Sequence, residues 1–256
     1  MPLHVTTWGE GERLLMVHGS FGWGEGTFVQ QLSLASQYRL LVVDRCGYGE
    51  SPVTDEFGFD SQSQEIAELL GEGAHLLGHS YGGVISLLAA AKRPEAVKSL
   101  TVIEPPAFKV ARGKKPVEDL LRRVIPIFDK AEQFSPGEFY TGFLRALGIP
   151  IPTPLELSER DIKNIRATAR EPRPWDAEIP LERLSQTKFP KLVVSGEWNT
   201  ATPTGRESGK AFAAVCDVLQ ARLGTERAIF KNSMHNPQLT APAEFNDRLR
   251  MFLASA

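Results

Sequence analysis

Short apolar runs alternate along the chain with longer segments in which apolar residues recur at helical spacing. Runs of this kind lie at residues 14–17, 39–43, 74–77, 100–103, 191–195 and 227–230. They are apolar without a polar alternation, which is typical of strands buried on both faces of a parallel sheet. Helices between consecutive parallel strands complete right-handed crossovers. The pattern therefore predicts an α/β fold, with a mostly parallel central sheet flanked by helices.

The helical patterns lie between these runs. Ser61 and Gln64 form a capping box that predicts a helix over 65–70, and an apolar helix that runs to about Lys92 ends near Pro94. A helix of mixed pattern separates the last two strands, and an amphipathic helix at about 243–253 closes the chain.

Residues 107–187 interrupt the alternation. They contain helical patterns at 117–134, 136–147 and 158–171, a proline-rich break at 149–154, and no strand pattern. We therefore divide the chain into a core, residues 1–106 and 188–256, and a helical cap, residues 107–187, over the strand ends. Most apolar side chains of the cap are expected to hold it on the core, and a minority to line a pocket. The pocket candidates are Phe108, Phe128, Phe139, Phe143 and Trp175.

Composition narrows the function classes. The chain has 256 residues, of which 42% are hydrophobic, and a formal net charge of −2, so no electrostatic argument favours nucleic acid or an anionic membrane as a partner. The N-terminus lacks a signal-peptide pattern, and no apolar run approaches the ~20 residues that span a bilayer. Cys46 and Cys216 are far apart and are expected to be reduced and buried. A cytoplasmic protein is expected, and its oligomeric state stays open.

The candidate chemistry centres on the segment Gly78-His79-Ser80-Tyr81-Gly82, between a strand pattern and a helix pattern. Such a sharp turn brings the flanking backbones too close for a Cβ and strains the residue at its apex. The turn also lifts the apical hydroxyl clear of the sheet. Ser80 is therefore the predicted nucleophile.

A serine hydroxyl needs an adjacent base to act as a nucleophile. The chain has five histidines, and His235 is the one placed after the last strand, where its side chain can reach Ser80. His79 precedes Ser80 directly, so we expect its side chain to leave the turn on another side. His235 is the predicted general base.

With these pieces, the chain resembles an α/β-hydrolase over almost its whole length. The matching segments are His18-Gly19 and residues 44–51, 78–83, 196–203 and the loop around His235. In most members of that family the acid follows the next-to-last strand, where this chain has Asn199, and a neutral amide cannot stabilise an imidazolium.

Glu104 is the predicted acid instead. It lies at the end of the strand after the nucleophile's helix, where certain haloalkane dehalogenases and zearalenone-type lactonases of this superfamily carry theirs. Its charge would be costly there without a partner. A surface-turn glutamate, or one paired with the cap, is the other interpretation, and Glu197 is the alternative acid.

The resemblance implies a serine hydrolase that forms an acyl-enzyme on Ser80. The backbone N–H of Tyr81 is expected to bind the oxyanion together with that of Ser20 or Phe21, between which the sequence does not decide. No cofactor or metal is implied. The serine nucleophile argues against dehalogenase and epoxide-hydrolase chemistry, which uses an aspartate nucleophile, so an ester or lactone is the expected partner. The apolar residues of the cap suggest that this substrate is apolar and small to medium in size. Carbon–carbon bond hydrolysis, perhydrolysis and a ligand-binding homologue without turnover stay open as alternatives.

Overall fold

The computed structural model describes residues 2–54, 57–151 and 153–256. Its central sheet has the strand order β1-β3-β2-β4-β5-β6-β7. The strands are β1 Val5–Trp8, β2 Glu12–Val17, β3 Tyr38–Val43, β4 Ala74–His79, β5 Val97–Ile103, β6 Lys191–Gly196 and β7 Glu226–Phe230. Neighbouring strands pair in parallel, except that β1 is antiparallel to β3. The predicted α/β class with a mostly parallel sheet is confirmed.

Helices cover both faces of this sheet. They are α1 Gly24–Phe28, α2 Phe59–Leu69, α3 Tyr81–Lys92, α4 Lys115–Asp129, α5 Pro136–Leu147, α6 Glu159–Arg170, α7 Leu181–Ser185, α8 Pro203–Leu223, α9 Pro237–Thr240 and α10 Pro242–Leu253. Short 3₁₀ segments join several of them. In the part of the chain that the structure describes, no helix is long and apolar enough to cross a membrane.

The apolar runs become strands because both of their faces are covered. Leu14 and Met16 of β2 pack into the apolar cluster that contains Phe245 of α10, whereas Leu15 and Val17 pack into the larger cluster on the opposite face. Successive side chains of a strand point to opposite faces, so a run without polar residues places a core on each side.

Two local predictions differ from the structure. The half-exposed strand β1 was not predicted, because an antiparallel edge strand leaves no continuous apolar run. The capping box at Ser61 was wrong: α2 begins at Phe59 with Gly58 as its N-cap, and Ser61 lies inside the first turn. The Ser61 hydroxyl accepts a hydrogen bond from the Gly58 N–H at 3.1 Å, so it does satisfy a free amide, but from within the helix.

The segment 107–187, for which we keep the label cap from the prediction, lies between β5 and β6 in the chain, and its helix α4 packs against α8. Helix α5 begins with a capping box in which Ser135 and Glu138 bond each other's backbone N–H, and it ends at Gly148 in the left-handed conformation. Among the described residues of the segment 107–187 there is no strand. Both cysteines are free and buried, as expected.

Candidate active site

Ser80 stands at the apex of the turn from β4 to α3, with a φ of 52°. Its N–H donates to the carbonyl of Ile103 on the neighbouring strand at 2.8 Å. A Cβ on Gly82 would lie 2.3 Å from the carbonyl oxygen of Val17, and a Cβ on Gly78 would lie 2.4 Å from that of Gly82. Both obstacles are backbone, which explains why glycine occupies these two positions.

Glu104 and His235 are joined by a hydrogen bond of 2.8 Å from His235 Nδ1 to Glu104 Oε2. Glu104 is fully buried at the end of β5, and its other oxygen, Oε1, accepts from the Gly196 N–H at 3.0 Å and from Trp198 Nε1 at 2.9 Å. Because Nδ1 is the donor to the carboxylate, Nε2 of His235 is left as the basic nitrogen. The acid and the base of the predicted triad are therefore in contact.

Glu197 and Asn199, the alternative acid and the residue at the family's usual acid position, take no part in the contact between Glu104 and His235. Both are exposed, and Asn199 Nδ2 donates to Glu197 Oε2 at 3.0 Å and to Asn232 Oδ1 at 3.3 Å. Neither contacts the ring of His235 among the described contacts.

His79 lies against His235, contrary to the expectation that its side chain leaves the turn on another side. The two ring centroids are 4.9 Å apart, and His79 Nε2 donates to the backbone carbonyl of His235 at 3.1 Å. Burial, with a smaller effect of the His235 charge, lowers the pKa of His79 to about 3. His79 is therefore neutral, and it supports the loop that carries the base.

Ser80 and His235 line one cavity of about 170 Å³ beneath the cap. The hydroxyl of Ser80 forms no hydrogen bond with another described residue. Four of the predicted pocket residues, Phe108, Phe128, Phe143 and Trp175, line this cavity. Phe139 does not: it is buried beneath the wall, with its ring 5.8 Å from that of Phe21 and 5.1 Å from that of Phe128.

Sequence reasoning missed a further part of the wall, which comes from aliphatic side chains of the cap and one aromatic ring of the core. These residues are Leu120, Val124, Leu144, Leu147, Ile149 and Phe212. Apart from Ile149, which follows α5, they lie on helices with the apolar spacing of ordinary packing, so no pattern separates them from the core. No Lys, Arg, Asp or Glu lines this cavity in the described part of the chain.

The loop after β2 lies directly against the nucleophile, since a Cβ on Gly19 would lie 2.7 Å from the Cβ of Ser80. The backbone N–H groups of Ser20 and Tyr81 donate to no described residue. The N–H of Phe21, in contrast, donates to Thr168 Oγ1 at 2.9 Å. Of the two amides that the sequence left open, the one at Ser20 is free to bind an oxyanion.

A buried polar network joins this loop to the cap. Arg45 Nη1 pairs with Glu171 Oε1 and donates to Gln62 Oε1 at 2.6 Å, and Tyr48 OH donates to Glu171 Oε2 at 2.7 Å. Burial, and then the charge of Glu171, raise the pKa of Tyr48 well above its usual value, so the phenol stays a donor. Arg45 and Glu171 were not singled out from the sequence, because no motif links residues so far apart.

Comparison with known proteins gives a consistent result. Residues 14–248 match the model of the alpha/beta hydrolase family. The chain is 29% identical to a pimeloyl-[acyl-carrier protein] methyl ester esterase of Aeromonas hydrophila, in an alignment that covers 99% of this chain and 100% of that relative. A similar esterase of Aliivibrio fischeri is 28% identical over 98% of the chain and 97% of its own length.

Among solved structures, MenH from S. aureus superposes with a TM-score of 0.75 at 17% identity, covering 98% of both chains. An esterase from Exiguobacterium antarcticum superposes with a TM-score of 0.72 at 20% identity, covering 98% of this chain and 95% of that one. At these identities the likeness concerns the fold.

Proposed function

This chain belongs to the alpha/beta hydrolase family, and we propose that it is a serine esterase for small-to-medium apolar carboxylic esters. The observation that carries the proposal is the hydrogen bond between Glu104 and His235, formed at the wall of the cavity that Ser80 also lines. The full-length relatives named above are esterases, which agrees with this reaction class.

The mechanism follows from the roles of these groups. Ser80 Oγ attacks the ester carbonyl carbon while His235 Nε2 takes the hydroxyl proton, and Glu104 stabilises the imidazolium that forms. The N–H groups of Ser20 and Tyr81 bind the oxyanion of the tetrahedral intermediate. Collapse breaks the C–O bond to the alcohol, which leaves with the proton from His235. Water, deprotonated by His235, then releases the acid from Ser80 by the same sequence of steps.

The cavity indicates the class of substrate. Its volume of about 170 Å³ is close to that of an apolar protein cavity of about 150 Å³ that holds one benzene molecule. Its wall is formed largely by aromatic and aliphatic side chains and carries no ionised Lys, Arg, Asp or Glu in the described part of the chain. We therefore expect the buried group to be uncharged and about the size of a short acyl chain or a phenyl ring. A lactone is a cyclic ester, and this mechanism extends to it.

A fluorophosphonate probe tests the nucleophile. The wild type should be labelled and Ser80→Ala should not, with circular dichroism to show that both are folded. A folded wild type that resists the probe would contradict the proposed mechanism and would favour a ligand-binding role.

A substrate panel tests the reaction class. p-Nitrophenyl esters of graded acyl length, simple lactones, a carbon–carbon hydrolase substrate and a peroxide-dependent assay should be compared on the wild type. Ester turnover that exceeds the other activities supports the proposal, whereas a dominant carbon–carbon or peroxide-dependent activity would overturn it.

A further inference from the structure

Phe21 has a backbone conformation that a residue with a side chain adopts at a cost. Its φ is 65°, in the left-handed region, where a bulky side chain is strained. Such strain persists only where the surroundings over-determine it. The surroundings of Phe21 include two kinds of cap contact, one to its amide and one to its ring.

The amide contact is the hydrogen bond from the Phe21 N–H to Thr168 Oγ1 in α6. The ring of Phe21 packs against three rings of α5, with centroid distances of 5.8 Å to Phe139, 5.2 Å to Tyr140 and 5.0 Å to Phe143. Both contacts reach Phe21 from the cap.

Thr168 is itself held firmly. Its hydroxyl donates to the backbone carbonyl of Asn164 at 3.0 Å and lies 2.9 Å from Tyr48 OH. The Tyr48 hydroxyl also donates to Glu171 Oε2, and the Ser20 hydroxyl donates to the same oxygen at 3.3 Å. We call the loop after β2, residues 18–21, the oxyanion loop. Its residues Ser20 and Phe21 are each bonded to a buried cap side chain, Ser20 to Glu171 and Phe21 to Thr168.

Glu171 is held in turn from the core. Its second oxygen pairs with Arg45, whose Nε donates to the carbonyl of His18 at 2.9 Å and whose Nη2 donates to that of Gly19 at 3.2 Å. The same guanidinium thus touches both the start of the oxyanion loop and the cap carboxylate. Arg45, Tyr48, Thr168 and Glu171 are all buried, where hydrogen bonds and ion pairs are electrostatically stronger than in water.

On this basis we infer that Thr168 and Glu171 are positioning residues of the oxyanion hole, through which the cap holds the Ser20 amide in place for the reaction. The inference rests on the proposed function and adds a role for the cap beyond shaping the pocket. It predicts a kinetic signature, because an amide that binds only the developing oxyanion contributes to kcat and hardly to substrate binding.

The first experiment compares Thr168→Val with Thr168→Ser. Valine has nearly the shape of threonine but cannot accept the Phe21 N–H, whereas serine retains the hydroxyl. Displacement of a group by ~1 Å in an active site costs up to about a hundredfold in rate. We expect Thr168→Val to lower kcat between about tenfold and about a hundredfold with KM within about threefold, and Thr168→Ser to restore most of it.

The matched control is Asn164→Ala. Asn164 lies one turn earlier on α6, is fully buried, and its Oδ1 accepts the Gly49 N–H at 3.0 Å, so it is also a cap-to-core contact. It touches neither Ser20 nor Phe21 through its side chain. Its kcat should stay close to that of the wild type even where its melting temperature falls. Equal losses of kcat in Asn164→Ala and Thr168→Val would reduce the effect to loosening of the cap and overturn the inference.

A second readout separates positioning from structure. A trifluoromethyl ketone carrying the acyl chain of the best p-nitrophenyl ester places an oxyanion in the hole, whereas the matching secondary alcohol does not. Thr168→Val should weaken inhibition by the ketone by the same factor as it lowers kcat/KM, and leave that by the alcohol unchanged. If Thr168→Val does not fold, Tyr48→Phe is measured in its place. That substitution removes the hydroxyl that lies between Thr168 and Glu171, and we expect it to lower kcat severalfold.

The outcomes distinguish the two proposals. A wild type without fluorophosphonate labelling or ester turnover would overturn the proposed function. An active wild type with an equally active, folded Thr168→Val variant would leave the esterase in place and overturn the positioning role alone.

Discussion

The indole N–H of Trp198 and the backbone N–H of Gly196 donate to the same oxygen of Glu104, at 2.9 Å and 3.0 Å. Trp198 is buried, has a φ of 58°, and stacks on Phe212 with an interplanar angle of 12°. The segment in which the family usually places its acid therefore retains a supporting role here. It supplies donors to a carboxylate that comes from another strand.

Trp198→Phe tests this support. Phenylalanine preserves an aromatic ring for the stack on Phe212 but removes the donor to Glu104. Because hydrogen bonds to charged groups contribute about 1.5–3 kcal/mol, we expect kcat to fall about tenfold and the melting temperature to drop. Steady-state kinetics and thermal unfolding measure the two effects. Unchanged kcat would show that the Gly196 amide and His235 suffice to hold the carboxylate.

Glu104→Gln and Asn199→Ala test which residue is the acid. Glutamine has the shape of glutamate but no charge to stabilise the imidazolium, so kcat should fall about a thousandfold or more. Asn199 is exposed and contacts Glu197, so its truncation should leave kcat within about twofold. The measurement is turnover of a chromogenic ester. Near-normal turnover in Glu104→Gln would exclude it as the acid.

Gly82→Ala and Gly137→Ala test the space at the nucleophile turn. The new Cβ on Gly82 meets the backbone oxygens of Val17 and His18 at 2.3 Å and 2.4 Å. Because those atoms are backbone at the end of β2 and just beyond it, they cannot move aside as a side chain would, and we expect a loss of several kcal/mol in the free energy of unfolding, on the order of the largest single-residue effects. Gly137, in α5, has only a side-chain carbon of Leu157 at 3.8 Å, so alanine should be neutral or add about 0.5–1 kcal/mol. Urea unfolding compares the two.

Phe143→Ala and Phe134→Ala test the pocket wall. Phe143 lines the cavity, whereas Phe134 is a half-buried cap ring that does not. Removing the first ring should enlarge the cavity and shift the preference, measured as kcat/KM over p-nitrophenyl esters, toward longer acyl chains by about tenfold per well-accommodated extension. Phe134→Ala should lower stability without moving the preference. A parallel shift in both variants would argue against a direct role of Phe143.

The buried ring of His79 predicts a loss of stability in acid. Its pKa is about 3 in the folded protein and the usual 6.5 in the unfolded chain. Between pH 6.5 and pH 3 the unfolded state therefore binds a proton at His79 that the folded state does not bind. The contribution of His79 to the free energy of unfolding is present above pH 6.5 and is lost as the pH falls toward 3. At pH 5 the loss amounts to about 2 kcal/mol.

His79→Gln isolates this contribution. Glutamine can still donate to the carbonyl of His235 but does not titrate. Urea unfolding at pH 7 and pH 5 should show a smaller drop in the free energy of unfolding for the variant, by about 2 kcal/mol. The burial of His18 lowers its pKa in the same direction and leaves a residual acid sensitivity in both proteins. Equal drops would mean that His79 is not the responsible group.

Much of the fold was predictable because strands that are buried on both faces appear in the sequence as apolar runs. The runs at 14–17, 74–77 and 191–195 are strands buried on both faces, and they lack the regular polar alternation of a strand with one solvated face. Strand β1 is a short, half-exposed strand at the edge of the sheet, so its pattern is too short and too mixed to recognise. The start of α2 was misplaced because Gly58, which has no side chain to bond an amide, is its N-cap.

For the candidate site, position in the chain carried more information than composition. Ser80, Glu104 and His235 follow strands whose carboxyl ends meet at one edge of the sheet, so their proximity was a consequence of topology. The Phe21 amide is bonded to Thr168, more than a hundred residues further along the chain, and no local pattern reports such a contact. Phe139 and Phe143 belong to the same helix, and only its rotation on the core decides which of the two rings faces the cavity.

The ion pair between Arg45 and Glu171 has a consequence for how this molecule can be re-engineered. A chimera that received its cap from another protein would arrive without Glu171 and leave a guanidinium in the interior without a counter-charge, which costs several kcal/mol. The cap is therefore not an exchangeable module of this chain. A grafted cap designed to form a new pocket must contain a carboxylate that can pair with Arg45. Otherwise Arg45 and Tyr48 must be replaced together with the cap.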